Sequence, residues 1–93
     1  MDQRIINKRD RIYEIAQKYR VRNIRVFGSQ IRGEERQDSD VDFLVEFDVP
    51  NLLDRIGMKY ELEDELGIAV DLLTDDSLHP LLRDRILHEA REL

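Results

Sequence analysis

Three aspartates and one glycine-serine turn carry the chemistry available to this sequence. Asp40 and Asp42 lie in a run, Asp40 to Phe47, that alternates between Val41, Phe43, Val45, Phe47 and Asp40, Asp42, Leu44, Glu46. A period of two predicts a strand, so both aspartates project from one face and can reach a common ion. Aspartate is depleted in strands, and two of them beside an apolar face need a reason. Like charges this close are unfavourable, and a divalent cation removes the conflict. The chain has no cysteine, and neither of its two histidines is near the pair. Carboxylate ligation alone favours a hard ion, Mg²⁺ or Mn²⁺, over zinc. Mg²⁺ usually shares its carboxylates with substrate phosphates, so the pair points towards a nucleotide.

The turn supplies the other half. Gly28 lets backbone approach a ligand closely, and Ser29 offers a hydroxyl and an amide. Gln30 to Arg32 open a short helix whose free amides attract phosphate. A triphosphate held by amides and bridged by metal to carboxylates is the apparatus of nucleotidyl transfer. Two metals about 4 Å apart would activate the attacking oxygen and stabilise the leaving pyrophosphate. Two generic motifs fail here. Gly28 to Gly33 has P-loop glycine spacing, but Glu34-Glu35 stands where Lys-Ser/Thr is required. Asp38 to Asp42 opens like a calcium-binding EF-hand, yet Phe43 replaces its glycine and Val49 its glutamate.

Ninety-three residues predict one domain, 1–93. Ile5, Ile12, Ile15, Ala16 and Tyr19 recur at helical spacing and predict one amphipathic helix from Gln3 to Arg20. Ile24-Arg25-Val26-Phe27 predicts a short strand stopped by Gly28-Ser29. After the Asp40 to Phe47 strand, Pro50 breaks the pattern. Asn51 then caps a helix to about Leu66, with Leu52, Leu53, Ile56 and Tyr60 inward and Gly67 closing it. Ile68 to Leu73 is a third strand. A last helix starts at Asp75, Asp76 or Ser77, tolerates Pro80 in its first turn and turns Leu78, Leu82 and Ile86 inward.

The order is α-β-β-α-β-α, an α/β (α+β) fold with a small mixed three-stranded sheet and packed helices. A helix of crossover length makes the second and third strands parallel, and a loop of about a dozen residues suits an antiparallel first pair. Gly28-Ser29, Asp40, Asp42 and Asp71 then meet at one edge. Asp71 would be a third oxygen donor, or a general base for an attacking hydroxyl.

Composition limits the partners. Acidic residues outnumber basic ones 21 to 15, a formal charge of −6, which argues against non-specific nucleic-acid binding. No apolar run approaches the ~20 residues of a membrane span, and the chain opens with no secretory pattern. A reducing, cytoplasmic setting is expected. His79 and His88 stand nine apart, without metal-pair spacing. Tyr13, Tyr19 and Tyr60 are expected to pack. Arg32 either reaches a phosphate or braces Asp38 or Glu34, and Gly33 is a turn residue. Lys8 to Arg11 and Glu61 to Glu65 are charged faces.

Gly28-Ser29, ten residues, then Asp40-Val41-Asp42 resembles the GS-x10-D-x-D signature of the polymerase-beta-like nucleotidyltransferase superfamily. The run Gly28 to Gly33, then Ser39 to Val45, is similar to its minimal nucleotidyltransferase branch, although Ile31 stands where the branch usually has alanine. Val70 to Thr74 sits where that branch keeps a third carboxylate, and Ser77-Leu78-His79-Pro80 is also similar. The likeness covers nearly the whole chain. It implies the minimal polymerase-beta-like fold, Asp40, Asp42 and Asp71 as catalytic metal ligands for two Mg²⁺ ions, and Gly28 and Ser29 against the triphosphate of ATP. It further implies kinship with the antitoxin half of HEPN/MNT toxin-antitoxin pairs, which transfers AMP to a tyrosine of the HEPN ribonuclease. An acidic surface suits docking on such a basic partner. Two other readings remain: a non-catalytic antitoxin that occludes its toxin, and transfer to a small molecule.

Overall fold

The computed structural model describes residues 1–36 and 40–93. Asp38 and Ser39, singled out above, lie outside the described residues. The chain enters through two helices, α1 (Gln3–Asn7) and α2 (Arg9–Lys18), and not through one continuous helix. At Lys8 the backbone (φ −105°, ψ 15°) leaves helical geometry, and its N–H points back to the Arg4 and Ile5 carbonyls. With the break there, Ile5 and Ile12 are both fully buried.

β1 (Val21–Phe27) starts three residues before the apolar run suggests, because Arg22 and Asn23 belong to the strand without adding to its hydropathy. It pairs antiparallel with β2 (Val41–Phe47). Between them lies a single turn of helix, α3 (Ser29–Arg32), closed by left-handed Gly33. α4 (Leu52–Leu66) carries the chain across to β3 (Val70–Thr74), which runs parallel to β2. Asn51 caps α4 by accepting the Leu53 and Asp54 N–H groups at 2.8 and 3.2 Å. The last helix, α5 (Pro80–Glu89), begins later than expected. Asp75–Ser77 form their own 3-10 turn, and His79 Nδ1 caps α5 by accepting the Leu81 N–H at 3.1 Å. Arg91–Glu92 then add β4 beside β1.

The sheet therefore has four strands, in the order β3-β2-β1-β4, where the sequence predicts three. Two residues are too few to show a period, so β4 leaves no hydropathy signal. One face of the sheet, with Val26, Val41, Phe43, Val45 and Val70, packs under α1, α2 and α4. The other face is smaller: Phe27 and Leu44 meet Leu78, Ala90 and the partly buried Ile86 and Leu87 of α5. Each fully buried aliphatic or aromatic side chain contributes roughly 1.5–3 kcal/mol, so the first face carries most of the apolar stabilisation.

Two helices present other faces than their sequences suggest. In α4, Met58, Leu62 and Leu66 are buried, while Leu52, Leu53, Ile56 and Tyr60 are exposed. Met58, Leu62 and Leu66 recur every four residues, as do Leu52, Ile56 and Tyr60, and it is the first stripe that packs into the core. A Cβ on Gly57 would lie 3.2 Å from the Tyr19 hydroxyl, so this glycine admits the ring of the residue that ends α2. In α5, Leu82 is exposed and Ile86 only partly buried; Leu78, ahead of the helix, is the deep anchor.

Candidate active site

Strand register brings the predicted residues to one edge. Asp42 stands opposite Phe27, the last residue of β1, and level with Asp71 on β3. Asp40 lies one residue before β2 and is exposed, as is Asp71, whereas Asp42 is half-buried. Gly28 follows β1 with φ 79° and ψ −148°, which L side chains rarely adopt. A Cβ on it would collide with the Asp42 carboxylate. Glycine is required twice over, by its dihedrals and by this approach. Ser29, half-buried, opens α3, whose first amides precede any intrahelical bond.

The turn is held from behind. Gln30 is 2 % exposed, and its Oε1 accepts the Asp2 N–H at 2.7 Å. Ile31 packs against the larger core. The opening of the chain is thus fastened to α3, with the terminal amine 3.0 Å from Glu35.

Burial, with the neighbouring Asp71, Asp40 and Glu89 charges, pushes the Asp42 carboxyl up to about 6, and Arg32 opposes them. Arg32 is itself engaged: its Nε lies 3.2 Å from Glu34 and its Nη1 2.9 Å from Glu89. The Glu34 brace was one of the two expected roles for Arg32. Glu89 was not foreseen. It ends α5, and its second oxygen accepts the Gly28 N–H at 3.2 Å. An acid in the last turn of a charged helix gives no sign in the sequence that it reaches a turn 61 residues away.

Among the described residues no three His, Cys, Asp or Glu side chains are arranged to hold a metal ion. The donor chemistry nevertheless fits a hard cation. Asp42 is loaded by burial and by two neighbouring carboxylates, a load that positive charge relieves, and the space beside it is kept open by the missing Gly28 side chain. Elsewhere, Tyr13 donates its hydroxyl to the Leu93 carbonyl, and His88 is exposed in the last turn of α5. A cavity of about 760 Å³ opens at the other end of the sheet, between Val45, Phe47, Leu52, Arg55, Thr74 and Arg83. Among the described residues no helix is long and apolar enough to cross a membrane.

Glycine turn and carboxylates thus meet at one end of a sheet ordered β3-β2-β1-β4. The model of the nucleotidyltransferase domain family matches residues 9–93, and this chain belongs to that family. A protein of Methanocaldococcus jannaschii, provisionally named a protein adenylyltransferase, is 51% identical over 81 residues, covering 86% of this chain and 87% of its own. Protein adenylyltransferase MntA of Thermococcus cleftensis is 44% identical over 78 residues, 83% of this chain and 79% of its own. The solved structure of a provisionally named minimal nucleotidyltransferase superposes with a TM-score of 0.86 at 39% identity, over 100% of this chain and 97% of that one. A toxin-antitoxin crystal structure with AMP-PNP shares the fold at 22% identity, TM-score 0.75, over 89% of this chain and 69% of that one. The chain is accordingly an enzyme of nucleotidyl transfer, and the resemblance read from its motifs holds.

Proposed function

We propose that this protein is an antitoxin that transfers AMP from ATP to a tyrosine hydroxyl of a partner HEPN-type ribonuclease, silencing it. The observation that carries the reading is the Gly28 turn lying against Asp42, with Asp71 level beside it. Support for a protein acceptor comes from the two relatives named as protein adenylyltransferases.

Asp40, Asp42 and Asp71 would hold Mg²⁺, which supplies charge neutralisation for the triphosphate and the leaving pyrophosphate. Ser29 receives the phosphates through its amide and hydroxyl, and Gly28, lacking a side chain, lets them approach the turn closely. The acceptor oxygen attacks the α-phosphorus; a new P–O bond forms as the bond to pyrophosphate breaks, and the hydroxyl proton passes to Asp71. Asp71 is exposed, so a residue carried on another protein can reach it. That exposure is what a macromolecular acceptor requires.

Calorimetric titration with a non-hydrolysable ATP analogue, with and without Mg²⁺, tests the site. Binding that needs the metal and is lost in Asp42→Asn is expected. Labelled ATP should then mark the co-purified partner, with transfer reduced about a thousandfold or more in Asp42→Asn, several kcal/mol of transition-state stabilisation. Transfer by that variant at the wild-type rate would defeat the mechanism.

A further inference from the structure

We propose that Glu89 is a positioning residue of the nucleotide site, its carboxylate setting both the Gly28 turn and the Arg32 guanidinium for a phosphate-bearing ligand. The proposal rests on the nucleotidyl-transfer reading above and adds to it a residue from the far end of the chain.

Both oxygens of Glu89 are committed to the site. One accepts the Gly28 N–H at 3.2 Å and the other faces Arg32 Nη1 at 2.9 Å. The side chain is only 14% exposed, against 36% for Arg32, so this is no loose pair of surface charges. The N–H that Glu89 takes belongs to the residue whose backbone lies against Asp42. Holding that N–H therefore sets the distance between the turn and the carboxylates. Arg32 is held on two sides, by Glu34 at Nε and Glu89 at Nη1. A guanidinium has five N–H donors, so donors remain for phosphate oxygens once the plane is fixed.

The base under Glu89 is fixed as well. Ala90 is 8% exposed, and its N–H bonds the Ile86 carbonyl at 2.9 Å. Arg91 donates from one nitrogen to the carbonyls of His88, Glu89 and Ala90 at 2.8, 3.0 and 3.0 Å. Its strand then pairs with Arg25 and Val26 of β1. A carboxylate mounted between a helix end and a sheet edge has little freedom to swing aside. That rigidity favours a bracket for the site over a plug that phosphate must displace.

Two variants decide. Glu89→Gln keeps the shape and an acceptor for Gly28 but loses the charge facing Arg32; Glu89→Ala loses both. Titration with Mg²⁺ and the ATP analogue should show binding about tenfold weaker in Glu89→Ala, with Glu89→Gln falling between it and the wild type. In an Arg32→Ala background the effect of Glu89→Ala should shrink, since part of it acts through Arg32. The Gly28 amide, followed by NMR without nucleotide, should exchange faster in Glu89→Ala. Binding in Glu89→Gln as tight as the wild type, or tighter, overturns the proposal: the carboxylate would then be a bystander or an occupant of the phosphate position. Should Glu89→Ala fail to fold, Glu89→Gln is judged by that same criterion. Absence of binding by the wild type would sink the nucleotide reading instead. The Gly28 amide would still decide the Glu89 contact, and unchanged exchange would overturn it.

Discussion

At the end of the sheet where β2 and β3 finish, there is volume and balanced charge. The cavity of about 760 Å³ opens there, and the acids around it have partners. Arg22 lies 3.3 Å from Glu46 and 3.0 Å from Asp48, Arg83 lies 2.7 Å from Asp75, and Thr74 donates to Asp76. At the opposite end, where β2 and β3 begin, there is close approach and unbalanced charge. Among the described residues no ion pair reaches Asp40, Asp42 or Asp71. The guanidinium acting on Asp42 is already shared by Glu34 and Glu89. Space alone is a poor guide to chemistry in so small a fold. Carboxylates kept together without compensation are the stronger sign.

The contrast can be broken at several points. Gly28→Ala should do most damage, because the new methyl group meets the Asp42 carboxylate at a backbone angle disfavoured for alanine. A loss of about 2 kcal/mol in denaturant unfolding is expected, with loss of analogue binding. Wild-type stability and binding in that variant would show that the close approach is unimportant.

A smaller effect should appear in the pH dependence. Between 3.8 and about 6 the folded chain keeps a proton on Asp42 that an unfolded chain has released. The stabilisation is complete below 3.8 and is lost as pH rises through about 6. Discounted for the half-exposed position, the loss is about 1 kcal/mol. Unfolding measured across this range should show that slope, and Asp42→Asn should flatten it. A variant with the same slope as the wild type would place the proton elsewhere. Arg83→Ala, at the balanced end, should cost at most about 0.5 kcal/mol, since an exposed pair is largely screened, and should leave transfer intact. A large loss of transfer there would erase the distinction between the two ends.

What the sequence reveals follows from how each residue reaches the site. Asp40 and Asp42 are legible because strand alternation is a local property, and Gly28-Ser29 because it interrupts an apolar run. Asp71 needs one further step, the parallel crossover through α4, and the observed register places it level with Asp42. Glu89 depends on where α5 ends in space, which no local pattern encodes. The buried face of α4 is assigned wrongly from the sequence, which turns Leu52, Leu53, Ile56 and Tyr60 inward, for a related reason. Two apolar stripes share one helix, and local spacing alone does not say which of them meets the sheet. A strand of two residues, β4, owes its place to the antiparallel edge offered by β1 and not to its own propensity.

Gly28 stands at a turn and Asp42, Asp71 and Glu89 on three elements, separated along the chain by a helical turn, a full crossover and a returning helix. Such a site cannot assemble from any one segment, because its contacts close long loops and form slowly. Competence for nucleotide should therefore arise only as folding completes, and no proteolytic fragment should retain it. By mass action, a ligand seated there would resist opening anywhere in the sheet, so that nucleotide protects the backbone far from the phosphates as well as near them.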